Sequence, residues 1–273
     1  MTACAALSQT PLLRGGLVRM LGVMSSSTSL YQRRRLATAE EIAAIPWLHS
    51  LLPAERERAI AALQVTEACA GEYVCHAGKS VKYWWGLIDG LLKMSADNSD
   101  GLTMTFAGVP PGGWFGEGTC LKREPYRYNI QALRKSVLAG ISLETFQWLL
   151  DNSLAFNRFI MNQLNERLAQ FIAAREIDRI SNPDVRVARS LAALFNPVLY
   201  PAVGSVLRIT QQELAYLVGL SRQRVNEALA TLEAHGALKV EYGGLRVLDL
   251  QALQALREGL FTSIKRTPAA SVA

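Results

Sequence analysis

Cysteine is scarce in this chain and, where it occurs, isolated: Cys4, Cys69, Cys75 and Cys120 form no CxxC pair. That spacing offers neither a disulfide framework nor a zinc site, and it suits a reducing compartment. No apolar run approaches the roughly 18–20 residues that a membrane span requires. A nucleophile–base motif, a phosphate-cradling glycine loop and metal-ligand spacing are all missing, so no class of enzyme chemistry announces itself. The first 39 residues contain no acidic residue, yet Arg14 and Arg19 interrupt every stretch that could serve as the apolar core of a secretory signal.

What is present is an ordinary globular balance, with 50% hydrophobic and 19% charged residues over 273 positions. At about 150 residues per domain, this length suggests two domains. The formal net charge of +6 is unevenly spread. Residues 1–39 carry +5, residues 40–150 carry −2, residues 151–180 are neutral, and residues 181–273 carry +3. Most of the basicity therefore belongs to a Ser- and Arg-rich N-terminal stretch, expected to be a disordered extension. A basic surface suited to an anionic partner is expected only in the C-terminal third.

Residues 40–63 carry a helical apolar period (Ile42, Ile45, Leu48, Leu51, Leu52) with a break at Pro53. From Val65 to about residue 150, short β-like runs alternate with glycines (Gly71, Gly78, Gly86, Gly90, Gly101, Gly108), a texture that predicts an antiparallel β-roll. Asn98-Ser99-Asp100-Gly101 reads as a hairpin turn between Leu91–Ala96 and Leu102–Phe106. Helical period then returns. Neither Gly nor Pro occurs from Asn152 to Ile180, so one long helix is expected, with Phe159, Ile160, Leu164, Leu168, Phe171 and Ile172 forming its apolar stripe. Such a stripe packs either on a second copy of the helix or back on its own roll, and dimerisation over residues 151–181 is the expectation.

The strongest local signal spans Thr210–Val240. Thr210-Gln211-Gln212-Glu213 has capping-box spacing, in which the Thr oxygen takes the amide of Glu213 and the Glu carboxylate reaches back. Gly219 ends that short helix, because the left-handed cap strains any residue with a Cβ. Ser221 then caps a second helix whose inner face is Val225, Ala228, Leu229 and Leu232. Arg222, Gln223, Asn226 and Arg224 are left at its outward N-terminal end, where such a helix enters the major groove. Arg suits guanine and Gln suits adenine there, while the hydroxyls of Thr210 and Ser221, with Gln211 and Gln212, suit phosphates. Two short strands around Gly243-Gly244 make a wing that offers Lys239 or Arg246. Residues 182–255 thus read as a winged helix-turn-helix, followed by a C-terminal tail over 256–273.

Gln212-Glu213-Leu214-Ala215, Gly219-Leu220-Ser221-Arg222-Gln223-Arg224-Val225-Asn226 and Leu232-Glu233-Ala234-His235-Gly236 resemble the DNA-binding domain of the Crp/Fnr transcription regulators. The order of roll, long helix and winged helix-turn-helix over residues 40–255 matches as well. The resemblance implies an α+β chain with a cyclic-nucleotide-binding-like roll over 40–150. It further implies a cytoplasmic bacterial homodimer reading a two-fold-symmetric duplex, with double-stranded DNA and RNA polymerase as partners. The family's base-reading positions fall on Arg222, Gln223 and Glu227. Glu227 would repel phosphates, so the family's usual DNA site does not carry over.

Cyclic-nucleotide-binding members of that family use a Gly-Glu pair and a later Arg followed by small residues. Here these become Gly116, Glu117 and Arg127, but Tyr128 and Asn129 stand where small residues belong. An Arg127–Glu117 ion pair inside a roll that binds no cyclic nucleotide is therefore the expectation, with cyclic-nucleotide binding the alternative. Iron–sulfur chemistry would need clustered N-terminal cysteines, and only Cys4 lies there. Haem would need an axial ligand, for which His76 beside Cys75 is the nearest candidate among His49, His76 and His235. A redox pair of Cys69 and Cys75, or a sensor acting mainly through protein contacts, completes the alternatives.

Overall fold

The structure, a computed structural model, describes residues 29–97 and 103–256. Strand β1 (Arg35–Leu36) leads into α1 (Ala39–Ala43), a 3-10 turn over Pro46–Ser50, and α2 (Pro53–Ala61). The helical period over 40–63 is thus cut twice rather than once. Pro46 and Pro53 each stand at the first position of a new helical piece, where a missing amide N–H costs nothing.

The roll follows as β2 (Gln64–Ala68), β3 (Tyr73–Cys75), β4 (Tyr83–Asp89), β5 (Leu92–Asp97), β6 (Thr103–Val109), β7 (Trp114–Phe115), the short α3 (Glu117–Lys122), β8 (Asn129–Ala132) and β9 (Ser136–Ser142). These strands form two antiparallel sheets in the orders β1-β2-β9-β4-β7 and β3-β8-β5-β6. The expected hairpin is present, with Asp97 opposite Thr103 and Ser95 opposite Thr105. Its turn at Asn98–Gly101 lies outside the described residues, as do residues 1–28 and the tail from 257 onward.

Aromatic rings fill the space where the roll meets the flanking helices. Trp84 lies 4.2 Å from Trp114, and Trp47 lies 5.3 Å from both, with Phe146, Phe156 and Phe159 completing the cluster. Gly86, read from sequence as punctuation, instead sits inside β4. A Cβ there would come within 2.3 Å of the Trp114 ring, so the strand needs glycine to let that indole lie flat on its backbone.

The boundary at residue 39 also moves. Residues 29–39, expected within a disordered extension, pack on the roll. Leu30 is buried, Tyr31 meets the rings of Tyr83 and Trp85, and Arg34 covers the face of Tyr83 at 4.6 Å. Apolar and aromatic surface outweighs the charge of Arg33–Arg35, because Arg33 is neutralised by Glu72 and Arg35 by Glu41.

After β9 comes α4 (Leu143–Asn152). Ser153 then caps the long α5 (Leu154–Ile177), its hydroxyl accepting from the amide of Phe156 and donating to buried Glu55. The apolar stripe predicted for this helix divides between two faces. Phe159, Ile160, Leu164 and Phe171 lean on the roll, whereas Leu168 and Ile172 are exposed with Leu154 and Met161.

Helix α6 (Pro183–Ala193), capped by Asn182, opens the C-terminal unit. It is followed by β10 (Val206–Leu207), α7 (Gln211–Val218), α8 (Arg222–Ala234), β11 (Leu238–Glu241), β12 (Gly244–Val247) and α9 (Leu250–Ala255). The three strands pair in the order β10-β12-β11. Val185, Leu191, Leu214, Val225, Leu229 and Leu232 make this second core, to which the roll contributes Leu91.

Trp84 is fully buried at the centre of the ring cluster. Trp84→Ala is expected to destabilise the roll by about 3–5 kcal/mol, read as a shift of the urea unfolding midpoint.

Candidate DNA interface and effector pocket

The capping chemistry of α7 and α8 is local and forms as the residue pattern dictates. Thr210 Oγ1 accepts the amide of Glu213 at 3.2 Å, and Glu213 Oε2 accepts the amide of Thr210 at 2.7 Å. Gly219 adopts φ 69° in the left-handed region, which turns the chain toward α8. Ser221 Oγ then accepts the amide of Arg224 at 3.2 Å. Val225, Ala228, Leu229 and Leu232 face inward, while Arg222, Gln223 and Asn226 are exposed at the N-terminal end of α8. Arg222 and Asn226 have no side-chain partner among the described residues, so both are free to meet a duplex.

Other predicted contacts are placed differently. Arg224 turns toward α6, where it pairs with Asp184, and also reaches Glu227 at 3.2 Å. Gln223 donates to Glu227 at 3.3 Å. Glu227 is thus held along the helix by two neighbours, which lessens the repulsion its charge would offer to phosphates. Thr210 spends its hydroxyl on the cap, donating to Glu213 as well, whereas Gln212 is exposed and Gln211 half-buried beside it. In the wing, Arg246 pairs with Glu241 at 2.6 Å, and Lys239 is the exposed cation. Tyr242 stands fully exposed at the wing tip, where Gly243 takes φ 74°. Arg208, exposed two residues ahead of the α7 cap, escaped the reading from sequence. Its signal, a cation adjoining a capping box, was available there.

The second site is a cavity of about 330 Å³ between the roll and α5. Gly116 enters it with φ 90°, and Glu117, Lys122, Arg127 and Tyr128 face Leu164, Arg167 and Phe171 across it. The expected Arg127–Glu117 pair is absent. Arg127 is largely exposed and pairs with Glu124 at 2.9 Å, three residues back on the same loop. Buried Glu117 is taken instead by Arg167 of α5 at 3.4 Å. Arg167 also donates to the Trp114 carbonyl at 2.6 Å and to the Tyr200 hydroxyl at 3.3 Å. Burial opposes its charge, but Glu117 and the two tyrosine hydroxyls beside it hold its pKa above the ordinary guanidinium value. Burial, then the Glu117 charge, pushes the Tyr128 phenol up, so it stays protonated in the cavity wall. Phe171 faces the cavity, while Ile172 is on the exposed side of the helix.

Cys75 and Cys120 are structural. Cys75 is buried beside Tyr126, and desolvation pushes its thiol up to about 12. Cys120 is buried as well and its thiol is raised by the same cause. His76 stacks on the ring of Tyr73 at 4.2 Å. Among the described residues no cluster of His, Cys, Asp or Glu is arranged to hold a metal ion.

A roll whose long helix leads into a winged helix-turn-helix defines a DNA-binding regulator. Comparison with known proteins makes this specific. A model of the cyclic nucleotide-binding domain matches residues 65–153, and one of the Crp-like helix-turn-helix domain matches residues 185–256. Transcriptional regulator SdrP of Thermus thermophilus is 29% identical over 176 residues, spanning 63% of this chain and 82% of its own. The cAMP-activated global transcriptional regulator CRP of Pasteurella multocida is 29% identical over 180 residues, spanning 62% and 85%. FixK2 from Bradyrhizobium japonicum shares the fold, with a TM-score of 0.58 at 16% identity over 70% of this chain and 95% of FixK2. The chain belongs to the Crp/Fnr family of transcriptional regulators.

The thiolate is the reactive form of cysteine. In the native protein at pH 8, Cys75 and Cys120 should therefore resist alkylation by iodoacetamide, and both should react once the chain is unfolded in urea. Peptide mass spectrometry reads the difference.

Proposed function

We propose that two copies of this chain, paired along α5, bind a two-fold-symmetric duplex with one α8 in each of two major-groove half-sites. The observation that carries this reading is the exposed triplet Arg222, Gln223 and Asn226 at the capped N-terminus of α8. Arg222 is the base-reading residue, fitted to guanine by its planar fork. Ser221, Gln211, Gln212, Arg208 and Lys239 adjoin the phosphates, with the wing laid along the backbone. Thr210, Arg224 and Arg246 act one step removed, through the cap and the two ion pairs. Leu154, Met161, Leu168 and Ile172 supply the seam between copies, since their seven- and four-residue spacing keeps them on one exposed face.

The protein acts in the bacterial cytoplasm through RNA polymerase and has no catalytic activity of its own. The character of its relatives, which are transcriptional regulators, supports this reading. The roll operates without a cyclic nucleotide. What supports this is that Glu117 is already satisfied by Arg167, while Arg127 is drawn outward by Glu124.

Arg222→Ala should lose about 1–3 kcal/mol of discrimination between the selected site and a scrambled duplex while leaving non-specific affinity nearly unchanged. Fluorescence anisotropy on duplexes selected from a random pool measures both, and a wild-type chain with no sequence preference would refute the reading. Calorimetry with cyclic AMP and cyclic GMP should show no saturable heat at micromolar concentrations. A clear signal would restore the cyclic nucleotide as effector.

A further inference from the structure

A groove of about 800 Å³ runs between the β5–β6 hairpin, the C-terminal half of α5 and the helix-turn-helix. Its volume falls within the range of small-molecule sites, about 300–1,000 Å³. Phe106 of the roll, Ala173 and Ile177 of α5, Leu217 and Leu220 of the helix-turn-helix, and Leu250 of α9 give it a largely aliphatic wall. Four charged residues line it: Lys93, Arg186 and Arg189 against the single carboxylate of Asp178. Lys93 and Arg189 have no side-chain partner among the described residues. Arg186 donates one guanidinium N–H to the Val218 carbonyl at 3.0 Å, but its Nε is buried without a partner among them. Three cations set against one carboxylate leave the groove suited to an occupant that brings a negative charge.

This groove is separate from the seam proposed between copies. Ala169 and Ala173, on its α5 wall, each follow an exposed seam residue, Leu168 and Ile172, by one position. One position is about 100° around a helix, so seam and groove lie on different faces.

We propose that this groove binds an amphiphilic anion of the fatty-carboxylate type, its chain along the aliphatic wall and its carboxylate against Arg186, Arg189 and Lys93. The excess of cations selects the charge of the head, and the alanine and branched aliphatic side chains of the wall suit a flexible chain. Such an occupant touches the roll and the helix-turn-helix together. It would therefore bias the angle at which the DNA-reading unit is held, as a ligand that prefers one arrangement must. The site goes beyond the DNA-binding reading, and its test needs no DNA.

Isothermal titration of the full chain with octanoate, decanoate and dodecanoate, all below their micelle-forming concentrations, should give one site per chain. Affinity should rise about fourfold per added methylene. 1-Decanol, with the same chain length but no charge, should bind at least tenfold more weakly than decanoate. Arg189→Gln should remove most of that difference, and Ala173→Phe should abolish binding of both while the thermal unfolding midpoint stays near wild type. Absence of saturable binding, affinity independent of chain length, or equal binding of decanoate and decanol would each overturn the proposal. So would a change of oligomeric state on Ala173→Phe in sedimentation without ligand, because the groove would then be covered by a second copy. The wild-type chain-length series decides the matter even where a variant fails to fold.

Discussion

A buried guanidinium must be paired, and Arg167 meets that demand by joining three parts of the molecule. Its partners are Glu117 at the start of α3, the carbonyl of Trp114 at the start of β7, and the hydroxyl of Tyr200 in the loop between α6 and β10. Tyr200 in turn donates to the carbonyl of Gly108 in β6. Removing one member of a buried pair of this kind typically costs about 3–5 kcal/mol, since the other charge is left in a dry site. The long helix is therefore held against the roll by a polar network as well as by Phe156 and Ile160, and the network restricts where the helix and its continuation can sit.

Helix α5 divides its circumference among three tasks. One face, with Phe156, Ile160, Gln163 and Arg167, is buried on the roll. A second, with Leu154, Met161, Leu168 and Ile172, is apolar and exposed. A third, with Ala169, Ala173 and Ile177, walls the groove beneath the hairpin. An apolar residue on every side explains why this helix, which links the roll to the C-terminal unit, shows little amphipathic contrast.

What was legible in the sequence is what depends on neighbours three or four positions apart. The capping box at Thr210 and Glu213, the left-handed turn at Gly219 and the cap at Ser221 are all of this kind, and each appears in the structure as the residues imply. The β5–β6 hairpin belongs with them. Partnerships across the fold were not legible. Glu117 and Arg167 are fifty residues apart, and nothing local distinguishes that pairing from one between Glu117 and Arg127. Arg224 is outward-facing by helical period alone, yet Asp184 of α6 reaches it from another element. The α5 stripe was seen as one face because periodicity reports apolar positions without saying which neighbour covers them. Residues 29–39 looked like tail because their arginines dominate the composition, whereas the burial of Leu30 and the packing of half-buried Tyr31 on the roll decide their fate.

The helix-turn-helix is also joined to the roll by an ion pair. Arg134, in the turn between β8 and β9, pairs with Glu213 at 2.9 Å and also donates to the carbonyl of Arg208. Glu213 is at the same time the residue whose carboxylate closes the α7 capping box. One carboxylate thus serves both the docking of a domain and the integrity of the helix that begins there. Swinging the reading unit away from the roll strips that carboxylate of its cation and leaves it to the cap alone. Conversely, fraying of the cap weakens the joint. In this chain the orientation of the DNA-reading unit and the local stability of its first helix are a single linked quantity, so a substitution at Glu213 cannot adjust one without moving the other.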